Sequence, residues 1–392
     1  MSKVFSNWSG LVRSKPAEVR SIRNIADAQA AVAEANSRGC CIRVAGTTHS
    51  HYPLVHADDG LILRTDEWCG APKVDAGGSS ATLVAGTKLK AIGEPLWEAG
   101  FSLANQGDID VQSIAGLIGT GVHGTGRAQR SISDAVCGVS LVSAEGDVVT
   151  TQGQPELLEA LRLNLGAFGI VTEVSLRLLP AYYLHEHSWL EPVPAIMERI
   201  DQLTTATRHF EFFWRPDSDL ALAKALHPHP GAVDDMPAHE GQYVDRAYRV
   251  FPSVRENKHT EMEYSVPAAE GPACFARLRE LMRTRFPEVT WAVEYRTLAA
   301  DDGWISTARG RDTVTISIHQ AFDQPYEAFF RASEILFREH AGRPHWGKMH
   351  YLSANELADE HPGTWERFWR AQTELDPRGL FLNPYLRRIA GR

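Results

Sequence analysis

The 392-residue sequence predicts an α+β fold in which a nucleotide-binding unit comes first. Helical and strand patterns alternate from residue 16 to about residue 180, and such alternation is typical of this kind of unit. Two glycine-rich segments, residues 43–50 and 113–126, lie in the same part of the chain. After Pro180 the composition shifts towards aromatic residues, which indicates a second unit.

Local patterns predict the elements of the first unit. Residues 27–36 are strong helix formers followed by Gly39, and residues 87–98 form a second helix candidate that Gly100 stops. The glycine runs do not fit GxGxxG between a first strand and its helix, so a Rossmann nicotinamide site is disfavoured. Short apolar runs predict strands at residues 40–45, 61–63, 81–85, 136–142, 148–151 and 169–179.

The second unit combines helices with aromatic-rich strands. Between them, residues 226–258 are rich in His, Pro, Asp and Gly, including His227, His229 and His239, and are predicted to form a long loop. A loop over a pocket mouth can select the substrate. The predicted helices are residues 193–204, 273–285 and 326–340, and the predicted strands are residues 210–214, 290–296 and 313–319.

Composition excludes several functional classes. The formal net charge is −9 and there is no Lys/Arg block, so a nucleic-acid or membrane partner is not expected. The N-terminal residues lack the apolar core of a signal peptide, and no apolar run is long enough to span a bilayer. Five cysteines without paired spacing are expected to be free thiols in the cytoplasm, and no CxxC or HExxH pattern predicts a metal site.

The two glycine-rich segments predict close contact between backbone and a bound nucleotide. Gly46 follows a short buried strand and lets the backbone approach a ligand closely. In the second segment, glycines recur too densely for a single turn, so we expect backbone amides to pack against a diphosphate. His49 in isolation fits a polar loop residue as well as a cofactor ligand.

Together with motifs further along, these segments resemble the flavoproteins of the vanillyl-alcohol oxidase type. The similarity is greatest to the sugar-1,4-lactone oxidases (arabinonolactone and gulonolactone oxidases) and to the alditol oxidases. It runs nearly end to end. The matching segments are residues 7–10, 43–50, 107–126, 165–174, 209–214, 294–297, 343–348, 375–379 and 381–386.

The resemblance implies a domain organisation. Residues 1–178 would form a two-part PCMH-type FAD-binding domain, and residues 179–370 an α+β substrate (cap) domain with a large antiparallel sheet. Residues 371–392 would return to the FAD domain.

The resemblance also implies FAD as the cofactor, attached covalently through an 8α-histidyl bond at His49. Family members usually have Gly where Thr48 stands here, and alditol oxidases commonly have Ser where Asp108 stands. The implied cofactor-binding residues are Arg43, Gly46, Thr47, Thr48, His49, Ser50, Gly107, Asp108, Ser113, Gly116, Gly119, Thr120, Gly121, His123, Gly124, Ile170, Val171, Asn383 and Tyr385.

Four side chains are candidates for catalysis. Glu294 and Arg296 lie two residues apart in a predicted strand and therefore point to one face. By themselves they fit a surface ion pair, which contributes little to stability. In the resembled oxidases Glu-x-Arg faces the reactive side of the flavin. Lys348 belongs to residues 343–348, another segment that matches these oxidases, and is expected to face the same pocket. His319 is placed to line that pocket too.

The implied reaction is hydride transfer from a carbinol carbon to flavin N5, followed by reoxidation with molecular oxygen to hydrogen peroxide. The substrate would be a small polyhydroxylated molecule. Three alternatives stay open: oxidation of the sugar hydroxymethyl group of a larger molecule such as a nucleoside, a dehydrogenase with a cytochrome or quinone acceptor, and a non-catalytic flavin-binding protein. The sequence does not predict the oligomeric state.

Overall fold

The computed structural model describes residues 4–231, 241–253 and 257–392. The first unit holds two main sheets. A five-stranded antiparallel sheet has the order Val148–Thr150, Val136–Val142, Ile170–Arg177, Ser80–Val84 and Lys73–Val74. A three-stranded parallel sheet has the order Glu18–Ser21, Leu61–Arg64 and Ile42–Ala45. Two further pairs of short strands are Phe5–Ser6 with Arg13–Ser14 and Phe101–Ser102 with Leu179–Pro180.

The helix Ile25–Arg38 shows how local sequence builds this unit. The Asn24 side chain accepts from the Asp27 N–H at its start, and Gly39 ends it at φ 63°, where a residue without Cβ is unstrained. Its alanine-rich face is buried in a core cluster with the parallel sheet. The unit's other helices are Gly93–Glu98, Ile114–Thr120 and Pro155–Arg162, with 3₁₀ turns at Leu89–Ala91 and Ile132–Ala135.

The second unit is built on an eight-stranded antiparallel sheet, as predicted. Its order is Gln242–Arg246, Tyr183–Pro192, Leu220–His229, His209–Arg215, Val293–Leu298, Thr313–Ala321, His259–Pro267 and Arg343–Pro344. The helices Gly271–Arg285 and Glu327–Glu339 pack on one face of this sheet. The remaining helices of the unit are Val193–Glu198, Ile200–Ala206 and Ala247–Val250.

Side chains of the central strands alternate between the two faces of the sheet, so that one face is apolar and the other polar. Tyr264 stacks on Phe337 and Tyr295 packs edge-on against Phe275, so this face of the sheet belongs to the hydrophobic core. The intervening residues face the opposite side because strand side chains alternate. Those residues are polar, namely Glu261, Glu263, Glu294, Arg296, Ser317 and His319.

Several predicted elements differ from those observed. The predicted helix at residues 193–204 is two helices, since Arg199 breaks it, and the second glycine run contains the helix Ile114–Thr120 in place of a continuous loop. Residues 226–258 are not wholly a loop. They include the end of Leu220–His229, the edge strand Gln242–Arg246 and the helix Ala247–Val250, whereas His239 lies outside the described residues.

The C-terminal helices Ala354–Glu360, Thr364–Leu375 and Pro384–Ile389 bring the chain back to the first unit. The Ile42 N–H donates to Leu380 O at 2.9 Å, which joins the end of the chain to the parallel sheet. The helix Thr364–Leu375 crosses residue 371, where the C-terminal segment was predicted to begin. None of the described helices is both long and apolar enough to cross a membrane.

Candidate active site

A cleft that is open to solvent, here called the cavity, lies between the two units. All four predicted catalytic side chains line it. Most predicted cofactor-binding residues line it too, namely Arg43, Gly46, Thr47, Thr48, His49, Ser50, Gly107, Asp108, Ser113, Gly116, Gly119, Thr120, His123 and Val171.

Five predicted cofactor-binding residues do not line the cavity, and each has another role. Gly121 ends the helix Ile114–Thr120 at φ 74°, and a Cβ on Gly124 would lie 2.1 Å from Gln106 O. Ile170 is fully buried in a core cluster.

The other two belong to the C-terminal helix. The Asn383 amide donates to Pro53 O at 2.7 Å and His56 O at 2.9 Å, and its oxygen accepts from the Leu386 N–H. The Tyr385 hydroxyl is hydrogen bonded to His350 Nε2 at 2.8 Å. Asn383 therefore holds the start of this helix against residues 53–56 of the first unit, and Tyr385 joins the helix to His350.

Arg43 lines the cavity, but its guanidinium is committed to the protein. It donates to Leu54 O at 2.6 Å, to Leu165 O at 2.8 Å and to Gly166 O at 2.7 Å. Burial lowers the pKa of Arg43 to about 10, which still leaves the group charged at neutral pH. Its role is to fix three chain segments around the cavity.

The turn that carries His49 is tightly constrained. Thr48 has φ 58°, in the left-handed region that favours Gly. The His49 ring stacks on Trp8 with centroids 5.2 Å apart, and its Nδ1 lies 3.2 Å from Thr47 O. Burial lowers the pKa of His49 to about 4, so the ring is neutral at physiological pH.

Glycines let the walls of the first unit approach closely. A Cβ on Gly46 would lie 2.1 Å from Ser113 Oγ, and one on Gly107 would lie 2.9 Å from Val122 Cγ1. Side chains would therefore close the space between the His49 turn and the second glycine run. The glycine-rich segments therefore leave an opening along the wall of the first unit that a flat ligand could enter.

On the cap side, Arg296 lies among carboxylates. Its Nη2 donates to Glu263 Oε2 at 2.6 Å and lies 3.2 Å from Glu294 Oε2, while Nη1 is 3.7 Å from an oxygen of Asp108. Burial alone would lower the pKa of Arg296, but Glu294 and Glu263 raise it well above its usual value. The guanidinium is therefore a permanent buried cation.

Glu263 joins this cluster to the glycine run of the first unit. His123 Nε2 lies 2.8 Å from Glu263 Oε1, and His123 Nδ1 lies 2.8 Å from Gly124 O. Burial raises the pKa of Glu263, but the charges of His123 and Arg296 outweigh burial and hold it well below its usual range. His123 thus bridges the Glu263 carboxylate and the backbone oxygen of Gly124.

Glu261, two residues away on the same strand face, lies close to the side-chain nitrogens of three other residues. Lys348 Nζ donates to Glu261 Oε2, and His51 Nε2 lies 3.5 Å from the same oxygen. His319 Nε2 lies 3.6 Å from Glu261 Oε1. Burial lowers the pKa of His319, but Glu261 raises it by more, so the pKa lies above its usual value. His51 stays neutral, because burial lowers its pKa well below the usual range.

Glu261 and Glu263 were missed as site residues in the sequence. Their signal was a Glu-x-Glu pair on a strand, which places both carboxylates on one face in the same way as Glu294 and Arg296. Both carboxylates also belong to His/Glu groups whose ligand atoms lie within 4.8 Å, a spacing that a metal ion could bridge. Lys348 and Arg296 already neutralise these carboxylates, so such an ion would compete with them.

Two family models together match most of this chain. The family model described as D-arabinono-1,4-lactone oxidase matches residues 174–240 and 231–389, and that described as FAD binding domain matches residues 16–152. This chain belongs to the D-arabinono-1,4-lactone oxidase family. The first unit of this family member is thus an FAD-binding domain, and FAD is the cofactor that its residues fit.

Similar proteins match over the whole chain. L-gulono-1,4-lactone dehydrogenase of Mycobacterium tuberculosis is 34% identical over 432 aligned residues that cover 100% of both chains. Alditol oxidase of a Streptomyces species is 28% identical and covers 99% of both chains. The solved structure of cholesterol oxidase from B. sterolicum superimposes with a TM-score of 0.86 at 16% identity, covering 100% of this chain and 97% of the other, and thus shares the fold.

Proposed function

We propose that this protein is an FAD-dependent oxidase of a carbohydrate-type alcohol, with a sugar-1,4-lactone, an alditol or a related sugar hydroxyl as substrate. One observation supports this most strongly. The His49 turn of the FAD-binding domain and the four predicted catalytic side chains of the cap domain line the same cavity. The names of the gulonolactone dehydrogenase and alditol oxidase relatives support the same class of substrate.

The cofactor would be held chiefly by the backbone of the two glycine-rich segments, including Gly46, Thr47, Gly116 and Gly119. We further propose that His49 attaches it covalently. A neutral imidazole retains a lone pair for bond formation, and burial keeps His49 neutral by lowering its pKa to about 4. The stacked Trp8 holds the ring in one orientation. When bound, FAD supplies the acceptor for the hydride that leaves the carbinol carbon.

The side chains of the cap domain would act on the substrate hydroxyl. Lys348 and Arg296 place positive charge where negative charge develops on the substrate oxygen, and such preorganised groups favour the transition state over the bound alcohol. Glu294 would orient the hydroxyl or carry its proton. His319 adds positive charge beside Lys348, since Glu261 raises its pKa against the effect of burial.

The charge balance of the cavity favours a neutral substrate. Four carboxylates line it, from Asp108, Glu261, Glu263 and Glu294, against the side chains of Arg296, Lys348 and His319. An anionic sugar would add repulsion. We therefore expect a lactone or alditol to be oxidised with a higher kcat/KM than the corresponding sugar acid.

Molecular oxygen is the proposed electron acceptor, with hydrogen peroxide as the product. A dehydrogenase that uses a dye, cytochrome or quinone is the second candidate, because the 34% identical relative is named a dehydrogenase. The test is an aerobic panel of lactones, alditols, sugar acids and nucleosides, with peroxide formation and dye reduction measured in parallel. Turnover of a lactone or alditol with stoichiometric peroxide supports the oxidase. Dye reduction without peroxide favours the dehydrogenase, and no turnover on the panel contradicts the proposal.

A further inference from the structure

His259 lies between the buried carboxylates of the cavity and the protein surface. It begins the strand His259–Pro267, two residues before Glu261, so the two side chains share a face. Its Nε2 is 3.7 Å from Glu261 Oε2, and its Nδ1 is 3.0 Å from the backbone oxygen of Asn257, an exposed residue. One ring nitrogen thus faces the cavity and the other faces the outer loop.

The surroundings hold this ring in place. Trp8 and Trp291 pack against it with centroids 5.2 Å and 5.4 Å away. The titratable groups around it are Glu261, His51 and His319, with Lys348 behind Glu261. His259 is 12% exposed, whereas the Glu261 side chain is only 6% exposed.

The proposed reaction produces a proton inside this cavity. Oxidation of a carbinol breaks one C–H and one O–H bond and forms a C=O bond. A bound FAD would supply the acceptor for the hydride with both electrons, and the hydroxyl proton would stay behind. Glu261 cannot retain this proton, because Lys348 and His319 outweigh burial and hold its pKa well below the usual range. Catalysis therefore needs a path for the proton to water.

We propose that His259 is the proton relay of this site. The hydroxyl proton passes by way of Glu261 Oε2 to His259 Nε2, and the proton on Nδ1 passes to a water molecule beside the exposed residue Asn257. Exchange of the ring protons with water then restores the starting tautomer. The 3.7 Å gap is wider than a hydrogen bond, so transfer takes a small ring movement or one bridging water. The relay rests on the proposed function, because only the oxidation of a hydroxyl releases this proton.

His51 does not fit this role as well. It lies 3.5 Å from the same Glu261 oxygen, but its side chain is only 4% exposed, and its buried Nδ1 has no hydrogen-bond partner among the residues that the structure describes. A proton passed to His51 would have no onward acceptor at Nδ1. His259, by contrast, connects the carboxylate to the backbone of Asn257, an exposed residue.

The test is chemical rescue of the His259→Ala holoenzyme. Flavin reduction by a sugar alcohol that the wild type oxidises is followed anaerobically at fixed pH and ionic strength, with increasing imidazole. We expect the variant to be slower by on the order of 100-fold, the lower end of what positioned proton transfer contributes. Imidazole should accelerate it in a saturable manner. The wild type should not respond.

Two further variants separate a relay from a packing role. His259→Gln fills the same space without accepting a proton, and should be slow although its flavin content is normal. Trp291→Ala opens the packing beside the ring but keeps His259, so its rate should not depend on imidazole. A His259→Ala rate equal to that of the wild type, or a slow rate that imidazole does not change, would overturn the relay. A wild-type flavin that no carbohydrate alcohol reduces contradicts the proposed function and the relay with it.

Discussion

Replacing Lys348 with Met should remove the main charge that faces the developing alkoxide. The ammonium is held by Glu261 and its side chain is 23% exposed, so water screens it only in part. Loss of a preorganised charge partner of this kind costs about 100- to 1000-fold in turnover, or roughly 2.7–4 kcal/mol. Met keeps the length of the side chain, and Glu261 keeps the neighbouring His319 and His51, so the fold and the bound flavin should persist.

The assay is the anaerobic rate of flavin reduction at saturating substrate, with flavin content measured from the absorption spectrum. Lys224→Met is the matched control. Lys224 also lies beside two carboxylates, 3.5 Å from Glu186 and 3.7 Å from Glu211, but it does not line the cavity. In this control, the rate of flavin reduction should stay within a few-fold of the wild-type rate. Wild-type reduction kinetics in Lys348→Met, with flavin bound, would refute the assigned role.

Three other predictions concern the cofactor bond and stability. Acid-precipitated wild type should keep its flavin, whereas His49→Ala should release it; release from the wild type would contradict the covalent bond. Thr48→Gly should raise the free energy of unfolding by up to about 1 kcal/mol, since the left-handed region costs a residue with a Cβ roughly 1–2 kcal/mol. An unchanged midpoint of urea unfolding would show that Thr48 is not strained. Burial lowers the pKa of His350 and His361 to about 3 from 6.5. As the pH falls below 6.5, these histidines therefore take up protons in the unfolded state before they do so in the folded state. The free energy of unfolding that is present above pH 6.5 should then decrease towards pH 3, by about 1.4 kcal/mol per pH unit for each histidine. In urea unfolding, His361→Phe should lose less of its free energy of unfolding per pH unit than the wild type. The same pH dependence in both proteins would contradict the lowered pKa of His361.

Some parts of the fold and the site were predictable because their signals are local. Period-2 alternation placed Glu294 and Arg296 on one strand face, and the structure shows them 3.2 Å apart in the cavity. The helix Ile25–Arg38 was predicted from alanine-rich sequence that ends at Gly39. In each case residues within a few positions of each other determine the outcome.

Other parts depend on distant contacts. Glu261 becomes a site residue because its strand pairs with Thr313–Ala321, which sets it opposite His319. The strand Gln242–Arg246 is polar, and it forms because Tyr183–Pro192 offers an edge for pairing. The helix Ile114–Thr120 contains two glycines, so tertiary context outweighs a low helix propensity there. Composition alone cannot reveal such pairings.

The most direct test of the central claim, that this cavity oxidises a carbohydrate-type alcohol with FAD, is an anaerobic titration of the purified holoenzyme. Lactones and alditols are added stepwise while the visible flavin spectrum is recorded. We predict that at least one of them reduces the flavin completely at one equivalent, and that the product contains a new carbonyl group. A bound flavin that stays oxidised with every lactone and alditol would contradict the claim.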